Sequence, residues 1–186
     1  MTSEPPRERQ TARVVLLDPD GRILLMKGRL PDQPQGPWFW YTVGGGVDPG
    51  ETLMQAAARE VVEETGLADV ALGAVVWRDE VILRDVEGEE RLFRQDYVLA
   101  RTAGGAPSTA GWLPHEHQLT ADIRWWTLAE LRASTETFYP IGLAHLLADV
   151  LAGHIAPAPL LVATPDGPVT PIPRPPGAAA SHPFDL

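Results

Sequence analysis

A chain of 186 residues has the length of one domain with room for a tail. Its formal net charge of −10 lacks the basic footprint of a nucleic-acid binder, and the absence of cysteine excludes disulfides and thiol nucleophiles. No stretch reaches the roughly 20 apolar residues of a membrane span, and the opening MTSEPPRERQ has no apolar signal core, so the expectation is a cytoplasmic protein with neither nucleic acid nor membrane as partner.

Residues 1–10 are polar and proline-containing and read as a flexible arm. Residues 12–17 and 22–27 are aliphatic and β-branched. They flank Asp18-Pro19-Asp20-Gly21 and read as strand, turn, strand. Residues 28–37 form a loop holding Pro31, Pro34 and Pro37. The run WFWYTV at 38–43 is strongly strand-forming. Alternation sets Trp38, Trp40 and Thr42 on one face and Phe39, Tyr41 and Val43 on the other. These aromatics suit a core strand. Trp38, Trp40 and Tyr41 also suit a wall on which a nucleotide base would stack. Gly44, Gly45 and Gly46 read as a turn that lets backbone approach a ligand closely. Asp48-Pro49-Gly50 then leads into a helix, with Glu51 near its positive N-terminus, Thr52 in its first turn and Gly66 as its stop.

Residues 70–83 and 92–100 read as two long strands with an acidic connection. The second carries the polar patch Arg94-Gln95-Asp96-Tyr97, in which Arg94 is a candidate substrate contact. A long loop over 102–121 has the length of a functional one. A short strand at 123–126, a helix begun by Thr127 and a last helix over 139–153 follow. Dense prolines from residue 156 onward forbid helix and indicate a tail or wrapping arm, with 160–163 docking as an edge strand. The chain thus divides into an arm at 1–10, one domain at 11–155 and a tail at 156–186, with no internal repeat. Strands interrupted by one acidic helix and followed by helices give an α+β fold.

The acidic helix carries the chemistry. Glu60, Glu63 and Glu64 stand three and four positions apart and share an arc of roughly 100°. The arc lies beside an apolar one of Leu53, Met54, Ala57, Ala58, Val61 and Val62, with Glu64 at the border. Three such anions repel one another unless a cation sits among them. Hard oxygen donors suit Mg²⁺ or Mn²⁺ rather than zinc. A merely solvated acidic face would leave the preceding glycines, Glu51 and the internal Arg59 unexplained.

The whole run from Gly45 to Leu67 resembles the Nudix box: Gly45, Glu51, then Arg59, Glu60, Val61, Glu63, Glu64, Gly66 and Leu67 at the family spacing. The resemblance implies an α/β/α sandwich, with a mixed β-sheet packed between helices. It implies hydrolysis of a phosphoanhydride bond in a nucleoside diphosphate linked to another moiety, so the expected partner is a nucleotide-type small molecule. It also implies Mg²⁺ or Mn²⁺ held first by Glu60 and Glu64, then by Glu63 and the backbone carbonyl of Gly45. Arg59 would pair with Glu51 and orient the helix carboxylates. Gly44, Gly45 and Gly46 would lie along the diphosphate. Glu116, between His115 and His117 in the long loop, is the candidate general base. The catalytic set is therefore Glu51, Arg59, Glu63, Glu64 and Glu116. A nucleotide-sensing module without catalysis is the competing class, against which the intact box counts. An isomerase on a related fold would need the cysteine this chain lacks. Members of the family are often dimers, so a homodimer stays open.

Overall fold

The computed structural model describes residues 7–30, 33–84, 89–110 and 119–162. In chain order the described elements are β1 Arg7–Leu17, β2 Ile23–Gly28, β3 Phe39–Gly46, α1 Leu53–Thr65, β4 Val70–Arg84, β5 Glu90–Thr102, β6 Thr120–Trp126, α2 Leu128–Ala133, α3 Leu143–Leu151 and β7 Leu160–Leu161. The strands form one sheet in the order β6-β2-β3-β1-β5-β4-β7. The pairs β1–β5 and β4–β7 are parallel and the rest antiparallel, so the sheet is mixed.

Alternation along β1 explains the layers. Ala12, Val14 and Leu16 pack with Ala56, Ala57 and Val61 of α1. Val15 and Leu17 pack on the opposite side with Leu131 of α2 and Leu143, Leu147 and Val150 of α3. A strand covered on both faces is apolar at successive positions, as residues 14–17 are. The result is the expected sandwich. The β1–β2 turn is held by Asp18, whose Oδ1 accepts from the backbone N–H of Asp20 at 3.0 Å and of Arg22 at 2.8 Å. Helix α1 opens with a capping box of Thr52 and Gln55 and ends at Gly66, φ +70°, whose N–H reaches the Val62 carbonyl.

Four boundaries differ from the sequence reading. The sheet begins at Arg7, inside the segment expected as a free arm, because Arg7–Gln10 pair in parallel with Arg91–Arg94. Gly44, Gly45 and Gly46 are not a turn. They finish β3, opposite Arg13, Ala12 and Thr11, and the turn comes later, where Glu51 N–H donates to the Asp48 carbonyl at 3.0 Å. On α1 the buried residues are Ala56, Ala57, Val61 and Thr65, while Met54, Ala58 and Val62 are exposed. The seam is rotated so that the half-buried Glu60 and Glu64 flank it. The last helix starts at Leu143, after Gly142 in the left-handed region, rather than at 139.

Gly44 tests this account of the strand end. Its φ is +133°, and a Cβ there would overlap the Ala12 carbonyl oxygen. Gly44→Ala is expected to cost at least about 3 kcal/mol or to prevent folding. Gly50 also has a positive φ, +85°, but nothing lies within 4 Å of its added Cβ, so Gly50→Ala should cost only about 1–2 kcal/mol. Urea unfolding measures both, and equal costs would contradict the packing argument.

Candidate active site

The end of β3 and the middle of α1 lie side by side. Glu64 Oε2 accepts the backbone N–H of Gly44 at 2.7 Å. One residue further, the Glu60 carboxylate sits directly on Gly45, where any Cβ would overlap it. Two acids one helical turn apart are thus seated on consecutive glycines; a Cβ at Gly45 would displace the Glu60 carboxylate, and one at Gly44 would strike the β1 backbone at Ala12.

Arg59 organises the remaining acids. Its Nε and Nη2 donate to the two oxygens of Glu51 at 3.0 and 2.9 Å, a bidentate pair. Nη2 also reaches the Gly46 carbonyl at 2.9 Å, and Nη1 bridges Glu60 at 2.7 Å and Glu63 at 3.0 Å. Glu51 is fixed from the other side by the Asp48 N–H at 3.1 Å. The Arg59 hydrogen bonds, then that of Asp48, hold the Glu51 carboxyl below the usual carboxylate range. Arg59 is raised above its own ordinary value, chiefly by Glu51. Glu60 moves the other way: burial raises it, and the hydrogen bond and charge of Arg59 only partly offset this.

The arrangement is less convergent than helical spacing alone implies. Among the described residues, no group of three or more acidic or histidine side chains closes on a common metal-sized point. The guanidinium of Arg59 stands among Glu51, Glu60 and Glu63 and supplies positive charge there. Glu63 is 56% exposed, against 13% for Glu60. Glu60 and Glu64 are hard-oxygen donors of the kind that suits Mg²⁺ or Mn²⁺, while the Gly44 and Gly46 carbonyls accept from Arg13 and Arg59.

The other candidate residues scatter. Trp40 is 2% exposed in the core between the sheet and α2–α3. Its indole meets Trp126 edge-on at 4.9 Å, and its Nε1–H donates to Glu136 at 2.6 Å. It offers no ring face to a base, because the alternation of β3 sends it away from the carboxylates. Trp38 is half-buried, with the Arg29 guanidinium 3.5 Å from its ring centre. Tyr41 packs, partly buried, against the core on the α1 side. Arg94 pairs with Glu80 at 3.0 Å and Glu8 at 3.2 Å. With Gln10, Arg78 and Asp96 these three line a polar recess of about 310 Å³. Register places the recess beside the glycines, since Ala12 pairs with both Gly45 and Asp96. Sequence reading missed Gln10, Arg78 and Glu80, and named Asp96 only as part of a polar patch. Their signal was the run of consecutive polar residues at 7–11 and at 78–80 within otherwise apolar strands. Glu116, His115 and His117 lie outside the described residues.

Comparison with known proteins bears on the family and the fold. The model of the NUDIX domain matches residues 7–148. An RNA pyrophosphohydrolase of Caulobacter vibrioides is 48% identical over 67 residues, covering 36% of this chain and 37% of that protein. A dihydroneopterin triphosphate diphosphatase of Escherichia coli is 34% identical over 111 residues, covering 57% of this chain and 67% of that one. Among solved structures, a NUDIX hydrolase from Nitrosomonas europaea superposes with a TM-score of 0.59 at 19% identity, over 81% of this chain and 93% of that one, which shows a shared fold.

Removal of Arg59 tests the electrostatics. Arg59→Gln leaves the half-buried Glu60 without its cation and is expected to cost about 1–3 kcal/mol at neutral pH. The folded-state value of Glu60 is raised, so its charged form is the penalised one. The cost should therefore be complete above the still higher value that Glu60 takes without Arg59 and shrink as the pH falls toward its wild-type value. Thermal unfolding from pH 7 to pH 4 reads this out, and a pH-independent cost would contradict it.

Proposed function

Because this chain belongs to the Nudix family over residues 7–148, we propose that it is a divalent-metal-dependent pyrophosphohydrolase. It cleaves a phosphoanhydride bond in a nucleoside diphosphate linked to another moiety. The observation that carries the reading is the seating of Glu64 on Gly44 and of Glu60 on Gly45. The two relatives differ in the substrate their names give, RNA in one and dihydroneopterin triphosphate in the other. Only the reaction class they share is carried over here. Among the described residues no helix is long and apolar enough to cross a membrane, and we take the protein to act in the cytoplasm.

Glu60, Glu64 and the Gly45 carbonyl are assigned to hold Mg²⁺ or Mn²⁺, with Glu63 beside them. Bound there, the ion supplies charge neutralisation of the diphosphate, polarisation of the phosphoryl oxygens and a lowered pKa for water. The chain's own residues do the rest. Gly44, Gly45 and Gly46 keep side chains away from the polyanion. Arg59 fixes Glu51 and Glu60 before substrate arrives, so stabilisation of the developing charge needs little reorganisation. Glu63, the most exposed carboxylate among Glu51, Glu60 and Glu63, and Glu116 are the two candidates to accept the proton of the attacking water.

A screen of nucleoside diphosphate derivatives with Mg²⁺ or Mn²⁺, read by phosphate or pyrophosphate release, tests the assignment. Glu64→Gln should lower turnover on the order of a hundredfold or more. Its amide oxygen still accepts the Gly44 N–H, so thermal stability should hold. Absence of release from every compound, or a Glu64→Gln variant with most of its activity at saturating metal, would overturn the reading. Glu116→Gln should slow turnover more at neutral pH than at high pH, where hydroxide substitutes for the base. An unchanged pH–rate profile removes Glu116 from the role.

A further inference from the structure

The Gly44 peptide is held from two sides. Its N–H faces Glu64, as above. Its carbonyl accepts Nη1 of Arg13 at 2.8 Å. Arg13 alternates with Ala12 and Val14, which pack toward α1, and so leaves β1 on the side of α2 and α3. There a chain of polar groups runs across the sheet. Arg13 Nε donates to Gln95 Oε1 at 2.6 Å, and Gln95 Nε2 donates to Asp79 Oδ1 at 2.8 Å. The Tyr97 hydroxyl donates to Asp79 Oδ2 at 2.9 Å. Asp79 and Tyr97 are each 3% exposed.

The chemistry of these groups fixes the direction of the chain. A guanidinium only donates and an ionised carboxylate only accepts. The Gln95 amide must therefore turn its oxygen to Arg13 and its nitrogen to Asp79. Arg13 in turn is held with its fork on Gly44. Burying a carboxylate such as Asp79 is costly without partners. Burial raises Asp79 above the usual carboxylate range, and the hydrogen bonds from Tyr97 and Gln95 and the charge of Arg13 offset this only in part. The end of the chain is a strand terminus of three glycines, which has no side chains of its own to fix its position. The same peptide carries the hydrogen bond that seats Glu64.

We infer that Arg13, Gln95, Asp79 and Tyr97 are positioning residues for the site: from the far face of the sheet they hold the Gly44 peptide in the orientation that seats Glu64. This rests on the reading of Glu64 as a metal ligand. Besides holding that peptide, Arg13 favours the ionised form of Glu60 through its charge, and its guanidinium lies 5.8 Å from the Tyr41 ring centre.

Arg13→Met keeps the aliphatic stem and removes every donor. In metal-free protein, hydrogen exchange at the Gly44 amide should quicken at least tenfold, with the melting temperature within a few degrees of wild type. Mn²⁺ binding should weaken about tenfold and kcat fall similarly, with KM little changed. Arg13→Lys should rescue in part, since an ammonium can keep the Gly44 bond. Tyr97→Phe, which preserves the core ring, should move the same readouts less and serves where Arg13→Met does not fold. The decisive measurement is a double-mutant cycle on Mn²⁺ affinity. In the Glu64→Gln background, Arg13→Met should add little, because the two act through one peptide. Full additivity, or unchanged Gly44 exchange with wild-type Mn²⁺ affinity, would overturn the inference and leave the metal assignment standing. A wild-type protein that neither binds Mn²⁺ nor hydrolyses any nucleotide removes both.

Discussion

The site depends on contact between a helix and a strand end that has no side chains. Glu64 bonds to the Gly44 N–H, and Glu60 presses on Gly45 because no Cβ stands there to displace its carboxylate. A charged acceptor on a backbone N–H makes a stronger bond than a neutral one. The same closeness brings Glu60 out of water, which works against its charge. Arg59 resolves this by donating to Glu60, Glu63, Glu51 and the Gly46 carbonyl together. One guanidinium thus sets the relative positions of the helix, the strand end and the turn before it.

The helix was legible because its information is local. Thr52 and Gln55 open it, Gly66 closes it, and the spacing of Glu60, Glu63 and Glu64 follows from 3.6 residues per turn. The family resemblance rested on that same run. The layers were legible for a similar reason, since apolar runs such as residues 14–17 mark strands covered on both faces. What could not be read depends on partners distant in sequence. Three glycines in a row look like a turn until β1 is laid beside them. Trp40 and Tyr41 alternate in either case, but both faces of this sheet are buried, so alternation cannot say which ring faces the site. Met54 and Val62 fit an apolar arc and yet lie exposed, because the seam takes in Glu60 and Glu64 instead. The arc told how the acids cluster and left out the arginine that would sit among them.

Beside the glycines, the recess is lined by Glu8, Gln10, Arg78, Glu80, Arg94 and Asp96, polar and charged residues of both signs. Arg78 and Asp96 meet at 2.6 Å, and Gln10 donates to the same carboxylate at 3.0 Å. A moiety entering there must compete with these hydrogen bonds.

The bond between Arg13 and Gln95 joins residues 82 positions apart, and β2, β3, α1 and β4 lie in the span between them. Closing so large a loop costs chain entropy before any contact repays it, and topologies dominated by such contacts fold slowly. On a ribosome the acidic helix emerges well ahead of β5, and its capping box lets it form early. Its carboxylates can meet β3 as soon as β1 and β2 have paired with that strand, whereas the Arg13 side of the Gly44 peptide is braced only when β5 arrives. A nascent chain stalled before residue 95 would therefore carry every residue of the box and the bonds of Arg59, yet hold the Gly44 peptide without the brace that runs through Gln95.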